Sequence, residues 1–186
     1  MEMKKLVVFL LCLMAVFAIV SCKQDPKPAD EPAPVVEDGG VLTVKPASAE
    51  VTWGNTDRFQ FLINQEFADG DKVEFLLKLS DSFEKIVPRS GNESLSWPKF
   101  ATLALNTLEK DDDGWYIVSV TANDEYEQLG ITAMLTGGAV QDENLFVSIK
   151  NLKIGGKLID FATYDEETCV APLVACPSEV TATIEK

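Results

Sequence analysis

The sequence predicts an all-β domain, a two-sheet antiparallel β-sandwich, over residues 41–186. Three observations predict it: apolar and polar residues alternate with a period of two over short segments, turn residues separate these segments, and helical periodicity is weak. Alternation of this kind is typical of strands with one face on a core and the other face in water. Roughly nine or ten such segments suit a sandwich of two sheets.

The alternating segments can be placed along the chain. The apolar positions that share a face are Phe59, Phe61 and Ile63; Val73, Phe75, Leu77 and Leu79; Tyr116, Val118 and Val120; and Leu129, Ile131, Ala133 and Leu135. Glycine-containing turn signals lie between segments, at 68–71, 111–114, 136–138 and 155–156. Apolar residues then change from odd to even positions at Lys150-Asn151, so we predict a β-bulge or a bend in one long strand there.

Residues 1–21 have the pattern of a secretory signal peptide. Lys4 and Lys5 precede an apolar run from Leu6 to Val20, and a small residue, Ser21, follows it. The run has 15 residues, fewer than the roughly 20 that a membrane-spanning helix needs. We therefore predict a cleaved leader; an uncleaved anchor helix is the alternative.

Residues 22–40 are predicted to form a linker. This stretch carries four of the nine prolines and several acidic residues but almost no large apolar side chain. Such a segment cannot bury enough apolar area to fold and is expected to be extended and semi-stiff. It would hold the sandwich away from whatever Cys22 is attached to.

The stretch Ile19-Val20-Ser21-Cys22 resembles the lipobox of bacterial lipoproteins. The resemblance implies cleavage before Cys22, a diacylglycerol on its sulfur and usually an acyl group, often palmitate, on the new amine. Two or three chains anchor a protein firmly, since each buried CH₂ contributes about 0.8 kcal/mol. Lys23 stands where aspartate would imply inner-membrane retention, which favours the outer membrane or cell surface.

Composition excludes several classes of function. The formal net charge is −14, which argues against nucleic acid as a partner. The chain has no histidine, which removes Ser-His-Asp and Cys-His catalysis and histidine-ligated zinc. Acidic residues are plentiful, but none forms a recognisable pair with a catalytic partner. We therefore predict a protein that is not an enzyme and has no obligatory cofactor.

Cys169 and Cys176 remain once Cys12 leaves with the leader and Cys22 takes the lipid. An even pair in an exported chain predicts a disulfide that closes a short loop before the last strand. Two free thiols are the alternative.

Three segments resemble the closing strands of jelly-roll carbohydrate-binding modules, which share their fold with galactose-binding-like domains. These segments are DGWYIVSV at 113–120, LGI at 129–131 and NLFVSIKNLKI at 144–154; KVEFLLKLS at 72–80 is similar to an earlier core strand. Lys150 departs from the resemblance, since those modules usually have aspartate there. The resemblance implies a jelly-roll topology and a sugar-binding surface.

A sugar-binding surface needs an aromatic ring for the C–H face of a pyranose and polar groups for its hydroxyls. Trp115 is the first candidate, because it alternates away from the apolar face of its strand. Gln60 and Lys78 lie on the corresponding outward faces of strands that we expect to be neighbours. Trp97 and Trp53 are the loop-placed candidates. For every tryptophan the alternative is a packing role.

The run Asp111-Asp112-Asp113-Gly114 offers oxygen ligands for a structural Ca²⁺. One acidic run cannot supply the six to eight oxygens that calcium takes from several segments. A solvated hairpin turn is the alternative, because Asp-Gly is itself a turn signal.

Together these inferences predict a membrane-anchored cell-envelope lipoprotein whose non-catalytic β-sandwich binds glycan. The alternative function is that of a structural or adhesive surface lipoprotein that binds a protein partner. The alternative predicts an exposed apolar patch or a free sheet edge instead of a sugar site.

Overall fold

Two antiparallel sheets packed face to face form the fold, which confirms the predicted β-sandwich. The computed structural model describes residues 39–48, 50–55, 57–135, 144–174 and 176–186. The strands are Val41–Pro46 (β1), Arg58–Ile63 (β2), Lys72–Leu79 (β3), Phe83–Ser90 (β4), Leu103–Ala104 (β5), Tyr116–Thr121 (β6), Leu129–Leu135 (β7), Val147–Ile154 (β8), Lys157–Leu158 (β9), Val170–Pro172 (β10) and Val180–Glu185 (β11). Three single-turn 3₁₀ helices, Glu93–Leu95, Leu105–Thr107 and Phe161–Thr163, lie between strands.

The chain alternates between the two sheets as it proceeds. One sheet has the order β11-β1-β8-β3-β6, with β9 also on β8, and the other has the order β10-β2-β7-β4-β5. All of these pairs are antiparallel. The eight strands β1-β8-β3-β6 and β2-β7-β4-β5 have the connectivity of a jelly roll.

The core lies between the sheets and is built by the predicted alternation. Each long strand contributes every second side chain to one buried cluster, which includes Phe59, Phe61 and Ile63 of β2, Val73, Phe75 and Leu77 of β3, Val118 and Val120 of β6, and Leu129, Ile131 and Ala133 of β7. Each such side chain stabilises the fold by about 1.5–3 kcal/mol relative to an exposed one. Both sheets and their shared core lie within the compact unit Glu37–Lys186, which we expect to fold on its own.

The predicted β-bulge is present in β8. Glu74 pairs with Lys153 but Leu76 pairs with Lys150, so two steps along β3 match three along β8. Asn151, inside the bulge, has a φ of +54°. The extra residue returns Leu152 to the buried face and so explains the change from odd to even positions.

Gly39 and Gly40, which fall in the predicted linker 22–40, pack against the sandwich. The main-chain oxygen of Gly39 accepts a hydrogen bond from the Phe161 amide at 2.7 Å. A Cβ on Gly39 would lie 2.6 Å from the Ile159 carbonyl oxygen, and Gly40, with a φ of +73°, is equally enclosed. The predicted linker 22–40 therefore has to end before Gly39. The signal peptide 1–21, Cys22 and the turn at 136–138 lie outside the described residues.

Candidate functional site

The five predicted sugar-binding residues do not share one surface. Lys78 is exposed on β3 of the six-stranded sheet, and Trp115 directly precedes β6 of the same sheet. Gln60 lies on β2 of the five-stranded sheet. The expectation that the strands of Gln60 and Lys78 neighbour the strand of Trp115 holds for Lys78, since β3 pairs with β6. It is wrong for Gln60, because a sandwich places strands close in sequence on opposite sheets.

Trp115 is covered by basic side chains. The Nζ atoms of Lys150 and Lys78 lie 4.6 Å and 5.5 Å from the centroid of its ring, within range of cation–π attraction. Lys150 is the residue that stands in place of the aspartate of carbohydrate-binding modules. In this part of the six-stranded sheet, the half-buried Trp115 ring contacts two lysine side chains. This arrangement differs from an aromatic ring that is open to a ligand.

Trp53 has a packing role. It is half-buried against the core, and its ring centroid lies 6.3 Å from that of Phe59. The two residues after it, Gly54 and Asn55, line a pocket over the five-stranded sheet. Trp53 thus fixes the β1–β2 loop at the margin of this pocket.

We call this cavity the Trp97 pocket; its volume is about 320 Å³. Its lining residues are Gly54, Asn55, Arg58, Gln60, Arg89, Trp97, Leu173, Val174 and Cys176. Two of the five predicted residues, Gln60 and Trp97, are therefore brought together. A neighbouring pocket of about 270 Å³ shares Trp97, Leu173 and Val174 with it, so the two form one groove.

The floor of the Trp97 pocket is the outward face of three adjacent strands. Gln60 of β2 pairs with Thr132 of β7, and Arg89 of β4 pairs with Gly130 of β7. The Gln60 amide Nε2 donates to the Thr132 hydroxyl at 3.3 Å. These polar residues alternate with the core residues of the same strands, so the alternation that builds the core also points them outward.

Trp97 stands on a loop that is tied firmly to β4. The Ser90 amide donates to the Pro98 carbonyl at 2.8 Å, and the Trp97 amide donates to the Asn92 carbonyl at 2.9 Å. The Ser90 hydroxyl donates to the Asp124 carboxylate at 2.7 Å, as does the Asn92 amide group at 3.3 Å. These bonds hold the half-buried ring over the end of the sheet.

The backbone is strained on both sides of the Trp97 pocket. Trp97 and Val174 have φ angles of +52° and +53°, a region that costs a residue with a side chain about 1–3 kcal/mol. Such conformations persist where the surroundings impose them, and they concentrate at binding and catalytic sites. Both strained residues line both parts of the groove.

Both arginines of the chain line the Trp97 pocket. Among 16 basic residues only Arg58 and Arg89 are arginine, and the pocket contains both. Arg58 forms a two-point ion pair with Asp57, with Nε and Nη2 donating at 2.7 Å and 2.9 Å. This pairing raises the pKa of Arg58 and lowers the pKa of Asp57.

Arg89 forms no ion pair with a carboxylate of the described residues. It is only 8 % exposed, and its Nε atom is buried without a hydrogen bond to any described residue. Burial, and secondarily the charge of Arg58, lowers the pKa of Arg89. Gly130 makes room for the side chain, because a Cβ there would lie 2.8 Å from Arg89 Cγ. The arginine stem therefore crosses β7 where that strand has no side chain of its own.

The structure contradicts the predicted disulfide, because Cys169 and Cys176 are both buried free thiols. The Asn64 amide donates to the Cys169 carbonyl, and the Gln60 amide donates to the Cys176 carbonyl. The two cysteines thus lie beside β2 positions four residues apart, about 13 Å along a strand. A disulfide needs Cα atoms about 4.4–6.8 Å apart. Burial raises the pKa of both thiols, so neither is an activated nucleophile.

The acidic run at Asp111 forms a hairpin turn. The Asp111 carboxylate accepts hydrogen bonds from the amides of Asp113 and Trp115 at 3.0 Å and 2.8 Å, and Gly114 has a φ of +80°. In the described part of the chain, no three or more His, Cys, Asp or Glu residues are grouped so that they could hold a metal ion. The structural Ca²⁺ stays a prediction.

Sequence reasoning missed Arg58, Arg89, Leu173 and Val174. The available signal was compositional, since only two of 16 basic residues are arginine, the residue suited to two-point recognition of an anion. Nothing in the sequence shows that residues 58, 89, 97 and 174 meet, because their contact depends on the order of strands in the sheet.

In the described residues, no helix combines the length and the apolar character needed to cross a bilayer. Comparison of the chain with family models, with curated proteins and with solved structures finds no match. The functional argument therefore depends on the sequence and on the geometry of the Trp97 pocket.

Proposed function

We propose that the chain is a lipid-anchored lipoprotein of the bacterial cell envelope and that its β-sandwich binds glycan without catalysing a reaction. The leader, the lipobox-like stretch before Cys22 and the proline-rich segment after it support the anchor. One observation supports glycan binding above all: Trp97 lines a pocket whose floor carries Gln60 and Arg89.

The chemistry of the Trp97 pocket suits a saccharide. A half-buried indole offers an apolar plane for the C–H face of a sugar ring, while the glutamine amide and the guanidinium are hydrogen-bonding groups for hydroxyls. A volume of about 320 Å³ is near the lower end of the usual range for ligand pockets, roughly 300–1,000 Å³. The pocket therefore fits a short saccharide unit.

An exposed apolar side chain lines the pocket. Val174 is 53 % exposed and is one of three large apolar side chains that are exposed in the described residues. Its position in a pocket, rather than on a flat face or along a sheet edge, favours a small ligand over the adhesive alternative.

The test uses the isolated domain Glu37–Lys186 on a glycan array, followed by affinity electrophoresis in gels that contain the retained polysaccharide. Trp97→Ala is expected to weaken binding about tenfold or more, because buried tryptophans dominate binding energy. Trp115→Ala is the matched control, since it removes the same side chain from the other sheet, and should retain binding. An array without any retained glycan, or an equal loss in both variants, would contradict the proposal.

The anchor is tested separately by mass analysis of protein purified from bacterial membranes. We expect a mature chain that begins at Cys22 and carries diacylglycerol and an acyl group. Cys22→Ala should abolish incorporation of labelled fatty acid and release the chain from the membrane fraction. A mature chain that begins upstream of Cys22, or that lacks fatty acid, would refute the anchor.

A further inference from the structure

The least explained feature of the Trp97 pocket is a buried arginine whose Nε has no hydrogen-bond partner among the described residues. Arg89 is more than nine-tenths buried, and its Nε finds no hydrogen-bond acceptor among the described residues. Charged groups are rarely buried unless they are paired, because an unsolvated and unpaired charge is costly. An acceptor for Arg89 is therefore expected from outside the chain.

The chain has many acidic residues that could have supplied a hydrogen-bond acceptor for Arg89. The chain has 30 acidic residues against 16 basic ones, yet none of them lines the Trp97 pocket itself, although Glu93 lines the neighbouring part of the groove. Asp57 adjoins the pocket-lining Arg58 in sequence, and both of its oxygens are engaged by Arg58. A strongly acidic protein thus keeps one cavity lined by both of its arginines, and of the two only Arg58 has an ion-pair partner among the described residues.

The position of Arg89 is built into the sheet. Gly130 leaves no side chain beneath the arginine stem, and the adjacent Ser90 is held by Pro98 and Asp124. The stem of Arg89 is therefore placed by the sheet before any ligand arrives. A preorganised, desolvated arginine binds a carboxylate through short, charge-assisted hydrogen bonds, often two in parallel.

We propose that the Trp97 pocket takes an acidic sugar, a hexuronic or sialic acid, with its carboxylate on Arg89 and its ring against Trp97. This inference rests on the proposed function and specifies the class of glycan. The Gln60 amide, which donates to Thr132 through Nε2, keeps its Oε1 as an acceptor for a sugar hydroxyl. A single carboxylate also suits the net charge of −14, which repels polyanions.

Isothermal titration calorimetry of the Glu37–Lys186 domain with matched probes tests the proposal. The acidic probes are sialyllactose and galacturonic acid; their neutral counterparts are lactose and the methyl ester of galacturonic acid. Dextran sulfate serves as a sulfated polyanion. We expect at least one acidic probe to bind about tenfold or more tightly than its neutral counterpart, as a hydrogen bond to a charged group implies.

Substitutions test whether Arg89 causes the preference for acidic over neutral probes. Arg89→Gln should bring the affinity for the acidic probe down to that for its neutral counterpart, and Arg89→Lys should recover only part of it because the two-point fork is lost. Lys45→Gln, the loss of an exposed charge on β1, should change nothing. Circular dichroism melting shows whether each variant is folded.

The outcomes separate the two claims. Equal binding of acidic and neutral probes, or an acidic preference that survives Arg89→Gln, overturns the acidic-sugar inference and leaves a glycan site that depends on Trp97. Tighter binding of dextran sulfate than of either acidic probe also overturns it. A glycan array without any retained ligand, acidic or neutral, overturns the proposed function and the inference together.

Discussion

Replacing Phe59 by alanine is expected to lower the free energy of unfolding by about 3–5 kcal/mol. Phe59 is fully buried, and its ring centroid lies 5.6 Å from that of Phe61, 6.3 Å from that of Trp53 and 6.4 Å from that of Phe83. Alanine removes the ring common to these three contacts and leaves a cavity between the sheets. Urea denaturation of the Glu37–Lys186 domain measures the loss.

Ile117→Ala is the control for this prediction. Ile117 is 43 % exposed on β6, so its truncation should cost less than about 1 kcal/mol. Phe59→Ala should also weaken glycan binding, because Trp53 loses a packing partner beside the Gly54 edge of the Trp97 pocket. A cost for Phe59→Ala no greater than that for Ile117→Ala would contradict a core centred between the two sheets.

The fold could be predicted because its main cause is local. Period-two alternation in β2, β3, β6 and β7 indicates which side chains face the core, even when the pairing of the strands is not known. The bulge could be predicted for the same reason, since the extra residue at Asn151 shifts the apolar residues of the sequence from odd to even positions. Sheet membership cannot be predicted in this way, because it depends on contacts between strands far apart in sequence. For this reason the expectation that the strand of Gln60 neighbours that of Trp115 is wrong.

Cys169 and Cys176 show the limit of spacing arguments. Six intervening residues are compatible with a short disulfide loop, and export predicts oxidation. The backbone bonds of Cys169 beside Asn64 and of Cys176 beside Gln60 spread that loop along β2, which keeps the two thiols apart. Hydrogen bonding to a neighbouring strand, which the sequence does not show, decides the outcome.

Candidate binding residues were predicted by type, and this was useful only in part. Residue type predicts a site with an aromatic ring and an outward-facing polar residue, and Trp97 and Gln60 line the same pocket. Trp115 was ranked first on alternation alone, which cannot reveal that Lys78 and Lys150 converge on its ring. Arg89 was overlooked because a charged residue on a strand is usually solvated; only the paired strand β7, with Gly130, shows that it is enclosed.

Replacing Arg89 by methionine is expected to raise the free energy of unfolding by about 1–3 kcal/mol, an increase rather than the usual loss. Methionine keeps the unbranched stem over Gly130 and removes a buried charge for which the domain supplies no partner. For a domain of this size the melting temperature should rise by about 2–4 °C for each kcal/mol. Calorimetry of the ligand-free domain gives the measurement.

Arg58→Met is the control for this prediction, because it makes the same chemical change at an arginine that has an ion-pair partner. Arg58 is 30 % exposed and paired with Asp57, so its loss removes a partnered charge and should leave stability unchanged or slightly lower. Natural sequences keep destabilising residues where binding needs them, so a gain from Arg89→Met together with a lost preference for acidic sugar would identify Arg89 as such a residue. A loss of stability as large as that of a core truncation would mean instead that Arg89 serves the fold, and the acidic-sugar inference would lose its physical basis.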